Sequence, residues 1–348
     1  MRLGLSVLCG AVAGLLALAP VAASAQEMTA GEKELYEAAQ KEGELTWYTA
    51  HTSAEVAEAI GSAFTERYPG VRVNVVRSTA QVAFQRLSQD LRAGVAQCDV
   101  FSSTDLGHYQ WLKSENLLMQ YRPENAEGVV DAFKNLDPDN YFHTTSAGLV
   151  LITYNKNLVS EEEKPKKWTD LIDPKWKDQV TVGHPGFSGY VGTWVVMLRK
   201  LYGWEFFEKL EQNNPQIGRS INDTVTMLNA GERKIGAGPS GTTLISASRG
   251  NPVGLIYPED GTLLMIAPSG ILANSKNPNA AKLFLNFLLG PDAGRVAVSY
   301  FGESLRPDVE PAPGAMPLDQ IKLIRPSTEE IEQGIPEVKE LWRDTFGV

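Results

Sequence analysis

The chain has only two cysteines in 348 residues, and no long apolar run follows the one near its start. Cys9 lies inside that first run, so Cys98 is the one cysteine of the remainder. If the first segment is removed, an internal disulfide is excluded, which is typical of a large exported protein and not of a small secreted scaffold. The sequence also lacks a stripe rich in Lys and Arg. Together with the net charge of −10, this argues against nucleic acid as a partner.

The first residues have the composition of an export signal. Arg2 precedes the apolar run Leu3–Leu18, and Ala23-Ser24-Ala25 has the small residues of a cleavage site. The run is too short to span a membrane, so we predict a signal peptide over residues 1–25 and export to the periplasm. The rest of the chain is longer than one hydrophobic core usually organises, and two lobes are therefore expected.

Four times, a strand-like run is followed by a short stretch rich in Ser, Thr and Gly and then by a helical pattern. The four stretches are Thr49–Ser53, Ser102–Asp105, Gly186–Tyr190 and Pro239–Thr243. A helix that begins this way offers unpaired backbone N–H groups, the positive end of its dipole and side-chain hydroxyls. In a parallel sheet such turns lie beyond the carboxyl ends of the strands, where ligands bind. The pattern predicts a site for a small anion, to which Arg77 is available to contribute.

The alternation of strand and helix patterns predicts an α/β protein. From Glu44 to Leu112 the order is β-α-β-α-β-α, which implies a largely parallel sheet with right-handed crossovers. A second strand–helix series begins at Gln179. Further helices are predicted over Ala280–Leu289 and Ile335–Phe346, the first of which is stopped by Gly290-Pro291.

This succession resembles the periplasmic solute-binding proteins of ABC importers, in the branch that also contains ferric-ion and thiamine binders. The resemblance covers essentially the whole chain after the signal peptide. Its most specific segments are Gly43–Tyr48, Trp168–Trp176, Tyr257–Gly261, Asn277–Phe284 and Gly290–Ala293.

The resemblance implies the type II periplasmic binding protein fold. In this fold two α/β lobes, each a mainly parallel sheet flanked by helices, are joined by crossing hinge strands, and the solute is trapped between them by hinge closure. The expected crossings lie near Leu149–Tyr154 and Tyr257–Ala267. Accordingly, lobe 1 is expected over residues 26–150 and 265–348, and lobe 2 over residues 151–264.

Ferric members of this branch hold iron with two neighbouring tyrosines of lobe 2, assisted by a histidine and an acidic residue of lobe 1. The tyrosine positions correspond to Gly238–Thr242, which contains no tyrosine. The acidic position corresponds to Thr104, with Asp105 next to it, and His51 lies near the expected histidine. The resemblance therefore gives little support to iron.

The same ferric proteins bind a partner anion at a helix start on lobe 2, which matches Ser188-Gly189-Tyr190, with Asn222 where an amide assists. The resemblance thus implies that the anion subsite is kept and the metal subsite is lost. We predict that the cargo is a small anionic solute: a phosphonate, phosphate ester, sulfonate or carboxylate. The predicted ligand-binding residues are Thr49, His51, Thr52, Ser103, Thr104, Ser188, Gly189, Tyr190, Asn222, Ser240, Gly241 and Thr242.

Other functions stay open as alternatives. The first is ferric iron bound with a synergistic anion, in which case His51, Asp105 and Tyr190 are the expected metal ligands; a thiamine-type ligand is less favoured. A secreted hydrolase is disfavoured, because no Ser-His-Asp set or carboxylate pair is recognisable in the sequence. We therefore expect no enzymatic activity, no cofactor and no resident metal. The expected protein is a monomer, and its expected partner is an ABC permease in the inner membrane.

Overall fold

A computed structural model describes residues 27–312, 315–316 and 318–348 of the chain. The predicted signal peptide, residues 1–25, lies outside these described residues. Within them, no helix is both long and apolar enough to cross a membrane.

Helices and strands alternate along most of the described chain. The α-helices are α1 Ala30–Glu42, α2 Ala54–Arg67, α3 Ala80–Arg92, α4 Leu106–Ser114, α5 Gly189–Tyr202, α6 Glu205–Gln212, α7 Ile221–Asn229, α8 Ser240–Ser248, α9 Pro278–Leu288, α10 Pro291–Ser299 and α11 Thr328–Phe346. The strands are β1 Glu44–Thr49, β2 Arg72–Arg77, β3 Val100–Ser102, β4 Leu118–Met119, β5 Phe142–Asn155, β6 Val180–Gly183, β7 Gln216–Gly218, β8 Ile235–Pro239, β9 Val253–Ile256, β10 Thr262–Leu272 and β11 Leu323–Ile324. Short 3₁₀ helices lie at Glu124–Gly128, Asp131–Phe133, Trp168–Ile172, Pro174–Trp176 and Leu318–Gln320.

Helix α2 illustrates how the local sequence determines where a helix begins, which face it buries and where it ends. The Ser53 hydroxyl accepts a hydrogen bond from Val56 N at 3.3 Å and so caps the first turn. Val56, Ile60 and Phe64 follow at helical spacing and are buried. The helix ends before Gly70, whose φ of +91° reverses the chain at little steric cost. Burying a side chain such as that of Phe64 is worth about 1.5–3 kcal/mol, so this apolar face holds the helix on the sheet.

All the strands belong to one sheet, whose central order is β2-β1-β3-β10-β5-β8-β6-β7. Strands β1, β2 and β3 are mutually parallel, as are β6, β7 and β8. The long strands β5 and β10 run antiparallel to each other and join the two parallel groups. Here lobe 1 denotes the part of the molecule around β1, β2 and β3, and lobe 2 the part around β6, β7 and β8.

Each lobe has its own hydrophobic core. In lobe 1, Trp47 and Phe64 pack with Phe284 of α9. In lobe 2, Trp168 and Trp194 pack together at the centre of a larger cluster. Between these cores the connection consists mainly of β5 and β10, whose pairing contains an irregularity at Ala267/Pro268. Two packed cores joined by two strands are the arrangement that hinge closure requires.

The C-terminal helix begins earlier than the sequence predicts. Helix α11 begins at Thr328 instead of Ile335, because Ser327 and Glu330 form a capping box. It continues through Pro336, although a proline removes one backbone hydrogen bond. Its apolar face packs on α5, in the core of lobe 2. The sequence assigns this helix to lobe 1, as part of residues 265–348. The lobe boundaries stay a prediction.

Candidate functional site

A cavity of about 130 Å³ lies between the two lobes. This volume holds several water molecules or one small solute. Its wall includes polar residues from both lobes and from the loop that follows α10. The principal polar and charged lining residues are His51, Thr52, Ser53, Arg77, Thr79, Thr104, Thr145, Ser146, Ser188, Tyr190, Ser220, Asn222, Ser240, Thr242, Glu303 and Arg306.

Helices α3, α5 and α8 begin at this cavity without a side-chain cap. Their N-cap residues are Thr79, Ser188 and Pro239, and none of them makes a side-chain capping hydrogen bond. All three line the cavity. Because the first N–H groups of a helix have no intrahelical partner, these helix starts present donors and positive dipole ends to whatever occupies the space.

Two other helices that begin at the cavity are capped by their own side chains. Ser53 caps α2, and Ser220 caps α7 in a capping box with Asp223. Capping is therefore missing at some helix starts of this wall and present at others. The Thr79 hydroxyl oxygen is buried and has no hydrogen-bond partner among the described residues. A buried hydroxyl without a partner is costly unless a ligand or a water satisfies it.

Asn222 and Thr242 are coupled across the wall of lobe 2. The Thr242 hydroxyl donates a hydrogen bond to the Asn222 side-chain oxygen at 2.8 Å. This bond occupies the amide oxygen and leaves the NH₂ group of Asn222 to donate to a solute.

Arg77 supplies a permanent positive charge at the cavity. Its Nε donates to the Thr52 carbonyl oxygen at 2.9 Å, which fixes the guanidinium at the end of β2. Burial lowers the pKa of Arg77, while Asp223 acts in the opposite direction. Arginine nevertheless stays protonated in proteins, so the charge is retained.

Glu303 is the one carboxylate among the described residues that line the cavity. Burial raises its pKa to about 7, and a hydrogen bond with Ser240 partly offsets this effect. The negative charge of Glu303, after burial itself, contributes to raising the pKa of Tyr190. Glu303 carries no sequence signal, because it follows α10 in a loop with neither a motif nor a capping pattern around it.

Of the twelve predicted site residues, nine line the cavity and three do not. Thr49 is fully buried, and its hydroxyl accepts from His51 N at 3.4 Å. Ser103 is also fully buried, with its hydroxyl 2.8 Å from His108 Nδ1. Gly189 does not line the cavity and lies against Thr104 of lobe 1. The nine lining residues are His51, Thr52, Thr104, Ser188, Tyr190, Asn222, Ser240, Gly241 and Thr242.

His51 lines the cavity as a neutral side chain. Its Nε2 lies 2.8 Å from the Pro268 carbonyl oxygen, and this contact ties it to β10. Burial lowers its pKa to about 4, despite the opposing effect of the backbone hydrogen bonds. At neutral pH the imidazole therefore adds no charge to the site.

The residues named for the iron alternative are not brought together at the cavity. Asp105 caps α4 by accepting from Gly107 N at 3.0 Å, and it also accepts from Gln81 Nε2. It does not line the cavity, whereas His51 and Tyr190 do. Within the described ranges, no group of three or more His, Cys, Asp or Glu side chains is arranged to hold a metal ion.

The structure does contain a Ser-His-Asp cluster that the sequence did not reveal. His108 lies between Ser103, 2.8 Å from Nδ1, and Asp105, 3.5 Å from Nε2. All three side chains are buried, and none of them lines the cavity. Burial also lowers the pKa of His108 to about 4. Because a substrate cannot reach the Ser103 hydroxyl, the cluster serves to fix the start of α4.

Contacts across the cleft hold the lobes together around the cavity. Gln81 N of lobe 1 donates to the Phe187 carbonyl oxygen of lobe 2 at 3.4 Å. Glu55 of α2 forms an ion pair with Arg249, which directly follows α8. A Cβ atom on Gly189 would lie 2.6–2.7 Å from Thr104 Oγ1 and from its backbone C and O atoms. The absence of a side chain at position 189 therefore permits this close approach.

Comparisons with known proteins identify relatives along most of the chain. The sequence profile of the family described as "Bacterial extracellular solute-binding protein" matches residues 98–332, more than half of the chain. A "Putative 2-aminoethylphosphonate-binding periplasmic protein" of Salmonella typhimurium is 25% identical over 284 residues, which cover 78% of this chain and 77% of that protein.

Solved structures show the same fold. One is the periplasmic binding protein AfuA from Actinobacillus pleuropneumoniae, with exogenous fructose-6-phosphate bound. It matches with a TM-score of 0.80 and 22% sequence identity, and the match covers 88% of this chain and 99% of AfuA. Iron-bound HitA from Pseudomonas aeruginosa matches with a TM-score of 0.74 and 20% sequence identity, and the match covers 87% of this chain and 99% of HitA. The fold class predicted from the sequence is confirmed.

Proposed function

Because the chain belongs to the bacterial extracellular solute-binding proteins, we propose that it captures a small organic solute with a phosphonate or phosphate group. In this proposal the solute is held between the lobes and delivered to the permease of an ABC importer. The protein performs no chemistry on its cargo. Sulfonates and carboxylates can bind to the same hydrogen-bond donors. They are therefore included in the ligand panel that tests the preference for a phosphorus group.

The observation that carries this proposal is the convergence of uncapped helix starts on one cavity. Helices α3, α5 and α8 each lack a side-chain cap where they meet it. A tetrahedral anion with three terminal oxygens accepts hydrogen bonds from several directions at once, which suits donors arriving from three helices. Arg77 adds a charge-assisted donor and the Thr79 hydroxyl a further partner.

Two relatives support phosphorus as the centre of the anion. The name of the Salmonella protein contains an aminoalkylphosphonate, and AfuA was solved with a sugar phosphate. Both ligands combine a tetrahedral phosphorus group with a short polar organic part. The volume between the lobes suits a solute of this size, because it admits one small molecule and not a polymer.

The assignment to the periplasm rests on the sequence at the start of the chain. Expression of the full chain in a Gram-negative host, followed by mass spectrometry of the periplasmic fraction, tests it. We expect a mature protein that begins at Gln26. Retention of the full-length chain in the cytoplasm would contradict this part of the proposal.

Calorimetric titration of the chain from Gln26 onward tests the ligand class. The panel contains 2-aminoethylphosphonate, fructose-6-phosphate, a sulfonate, a carboxylate, thiamine and ferric citrate, with thermal unfolding as a second readout. A ligand at about one hundred times its Kd adds about 2.7 kcal/mol to the free energy of unfolding. We expect binding by at least one phosphorus compound. Binding by ferric citrate or thiamine alone would overturn the proposal.

A further inference from the structure

We propose that the solute carries a protonated amine as well as its anionic group, and that the Glu303 carboxylate receives this amine. The inference rests on the proposed anion site at the helix starts and adds the second charge of the ligand. It thus narrows the cargo to zwitterions such as aminoalkylphosphonates and aminoalkyl phosphate esters.

The Glu303 carboxylate has no charged partner among the described residues. No ion pair of Glu303 occurs in the described part of the chain, and its carboxylate is hydrogen-bonded to Ser240. Arg306, three residues along the same loop, is engaged elsewhere. Its Nε and Nη2 donate to the Asp308 carboxylate at 2.7 and 2.8 Å, and its Nη1 lies 3.4 Å from the Leu289 carbonyl oxygen.

Glu303 lies on the cavity wall near the helix starts. Its hydrogen-bond partner Ser240 is the first residue of α8, and its negative charge acts on Tyr190 of α5. The carboxylate therefore lies beside the helix starts assigned to the anion. A solute with a negative charge alone would be repelled by it. A solute with an amine a few bonds from its anionic group would place its ammonium beside the Glu303 carboxylate and its anionic group at the helix starts.

The Glu303 carboxylate is largely shielded from water. Withdrawal of the carboxylate from water raises its pKa to about 7, and among the described residues no cation reverses this effect. A cation with hydrogen-bond donors beside a buried carboxylate offsets part of the cost of withdrawing its charge from water. An ammonium group offers three donors, so an amine on the solute would supply this partner.

The test compares three phosphonates with the same two-carbon chain, which ends in an amine, a hydroxyl or hydrogen: 2-aminoethylphosphonate, 2-hydroxyethylphosphonate and ethylphosphonate. Calorimetric titrations are run at pH 8, where both Glu303 and an alkyl ammonium are charged, on the wild-type chain, on Glu303→Gln and on the control Glu58→Gln. Glu58 lies on α2 with its side chain exposed, so the control removes one carboxylate away from the cavity.

We expect the wild-type chain and the control to bind the amine at least tenfold more tightly than the ethyl compound. In Glu303→Gln this preference should fall to about threefold or less, whereas ethylphosphonate should bind as tightly as before or more tightly. Retained binding of ethylphosphonate also shows that the variant is folded. Glu303→Asp should recover part of the preference, since it restores the charge on a shorter side chain.

Two kinds of result would overturn the inference, and they are distinguishable. If the preference for the amine is unchanged in Glu303→Gln, or if the hydroxyl compound loses as much affinity as the amine, Glu303 does not recognise a cation. If fructose-6-phosphate binds the wild-type chain but neither 2-aminoethylphosphonate nor phosphoethanolamine does, the inference fails and the anion site stands. If none of these phosphonates and phosphates binds, the proposed anion site itself is wrong. Binding of phosphoethanolamine but not of the aminophosphonate supports the inference and identifies the phosphate ester as the source of the anion.

Discussion

Gly189 lies where the two lobes touch, and an alanine at this position should prevent full closure. Its Cβ would lie 2.6–2.7 Å from the Oγ1, C and O atoms of Thr104, whereas an ordinary contact begins near 3.4 Å. Two of these atoms are backbone, so rotation of a side chain cannot relieve the overlap. Thr104 and Gly189 must separate by about 0.7 Å or more, which displaces the lobe 1 wall from the uncapped start of α5.

The loss is expected to appear in affinity and not in stability. Separation of this size lengthens the hydrogen bonds that a solute makes to one lobe, and the loss of one charge-assisted bond costs about 1.5–3 kcal/mol. We expect Gly189→Ala to weaken binding by at least tenfold, or about 1.4 kcal/mol.

A matched control is Gly61→Ala in α2. A Cβ there meets Val73 and Val75 at 3.4 Å, which is ordinary contact, and both glycines are helical. Replacement of a helical glycine by alanine stabilises by about 0.5–1 kcal/mol. We therefore expect a raised unfolding midpoint and unchanged affinity in Gly61→Ala. Equal affinity in Gly189→Ala and the wild-type chain would refute the role assigned to this contact.

Three further predictions concern the cavity. Ser188→Ala combined with Thr52→Ala should weaken solute binding at least tenfold in calorimetry, since it removes a hydroxyl from each lobe; an unchanged Kd would refute their assignment as ligands. Arg77→Met should weaken binding by about 2 kcal/mol and flatten its dependence on salt, and an unchanged salt slope would show that Arg77 does not contact the anion. The pKa of Glu303 is about 7 in the folded protein against 4.5 as the reference, so the ligand-free fold binds this proton more tightly than the unfolded chain. The contribution of Glu303 to the free energy of unfolding should therefore fall by up to about 3 kcal/mol as the pH rises from about 4.5 to about 7. The lowered pKa values of His51 and His108 act in the opposite sense in both chains, so the quantity to compare is the difference in the free energy of unfolding between the wild-type chain and Glu303→Gln. Urea titrations should show that this difference, wild type minus variant, is lower at pH 8 than at pH 5, and an equal difference at both pH values would contradict the assignment.

The helix starts were predictable because their signal is local. Ser, Thr and Gly after a strand-like run indicate a helix N-terminus, and parallel topology places successive N-termini at one edge of the sheet. Nine of the twelve predicted residues accordingly line the cavity, although their role in binding stays a prediction. The same signal does not tell which side of the turn faces the cavity. Thr49 and Ser103 occupy the inner side and are fully buried.

Other parts of the wall depend on contacts between distant segments. Helix α10 packs on α2 of lobe 1, and in the loop that follows it Glu303 is hydrogen-bonded to Ser240 at the start of α8. Likewise, Asp105 looks like a candidate metal ligand in the sequence but is occupied in capping α4 and in binding Gln81. These contacts cannot be predicted from the sequence, because they form between distant segments through tertiary packing.

A crystal structure of the chain with a bound phosphonate or phosphate tests the central claim most directly. The account predicts that the oxygens of the anionic group lie within about 2.7–3.2 Å of backbone N–H groups at the starts of α5 and α8, with Arg77 as a further donor. A phosphorus group bound away from these helix starts would contradict it. So would a metal ion held by His51 and Tyr190 in place of the anion.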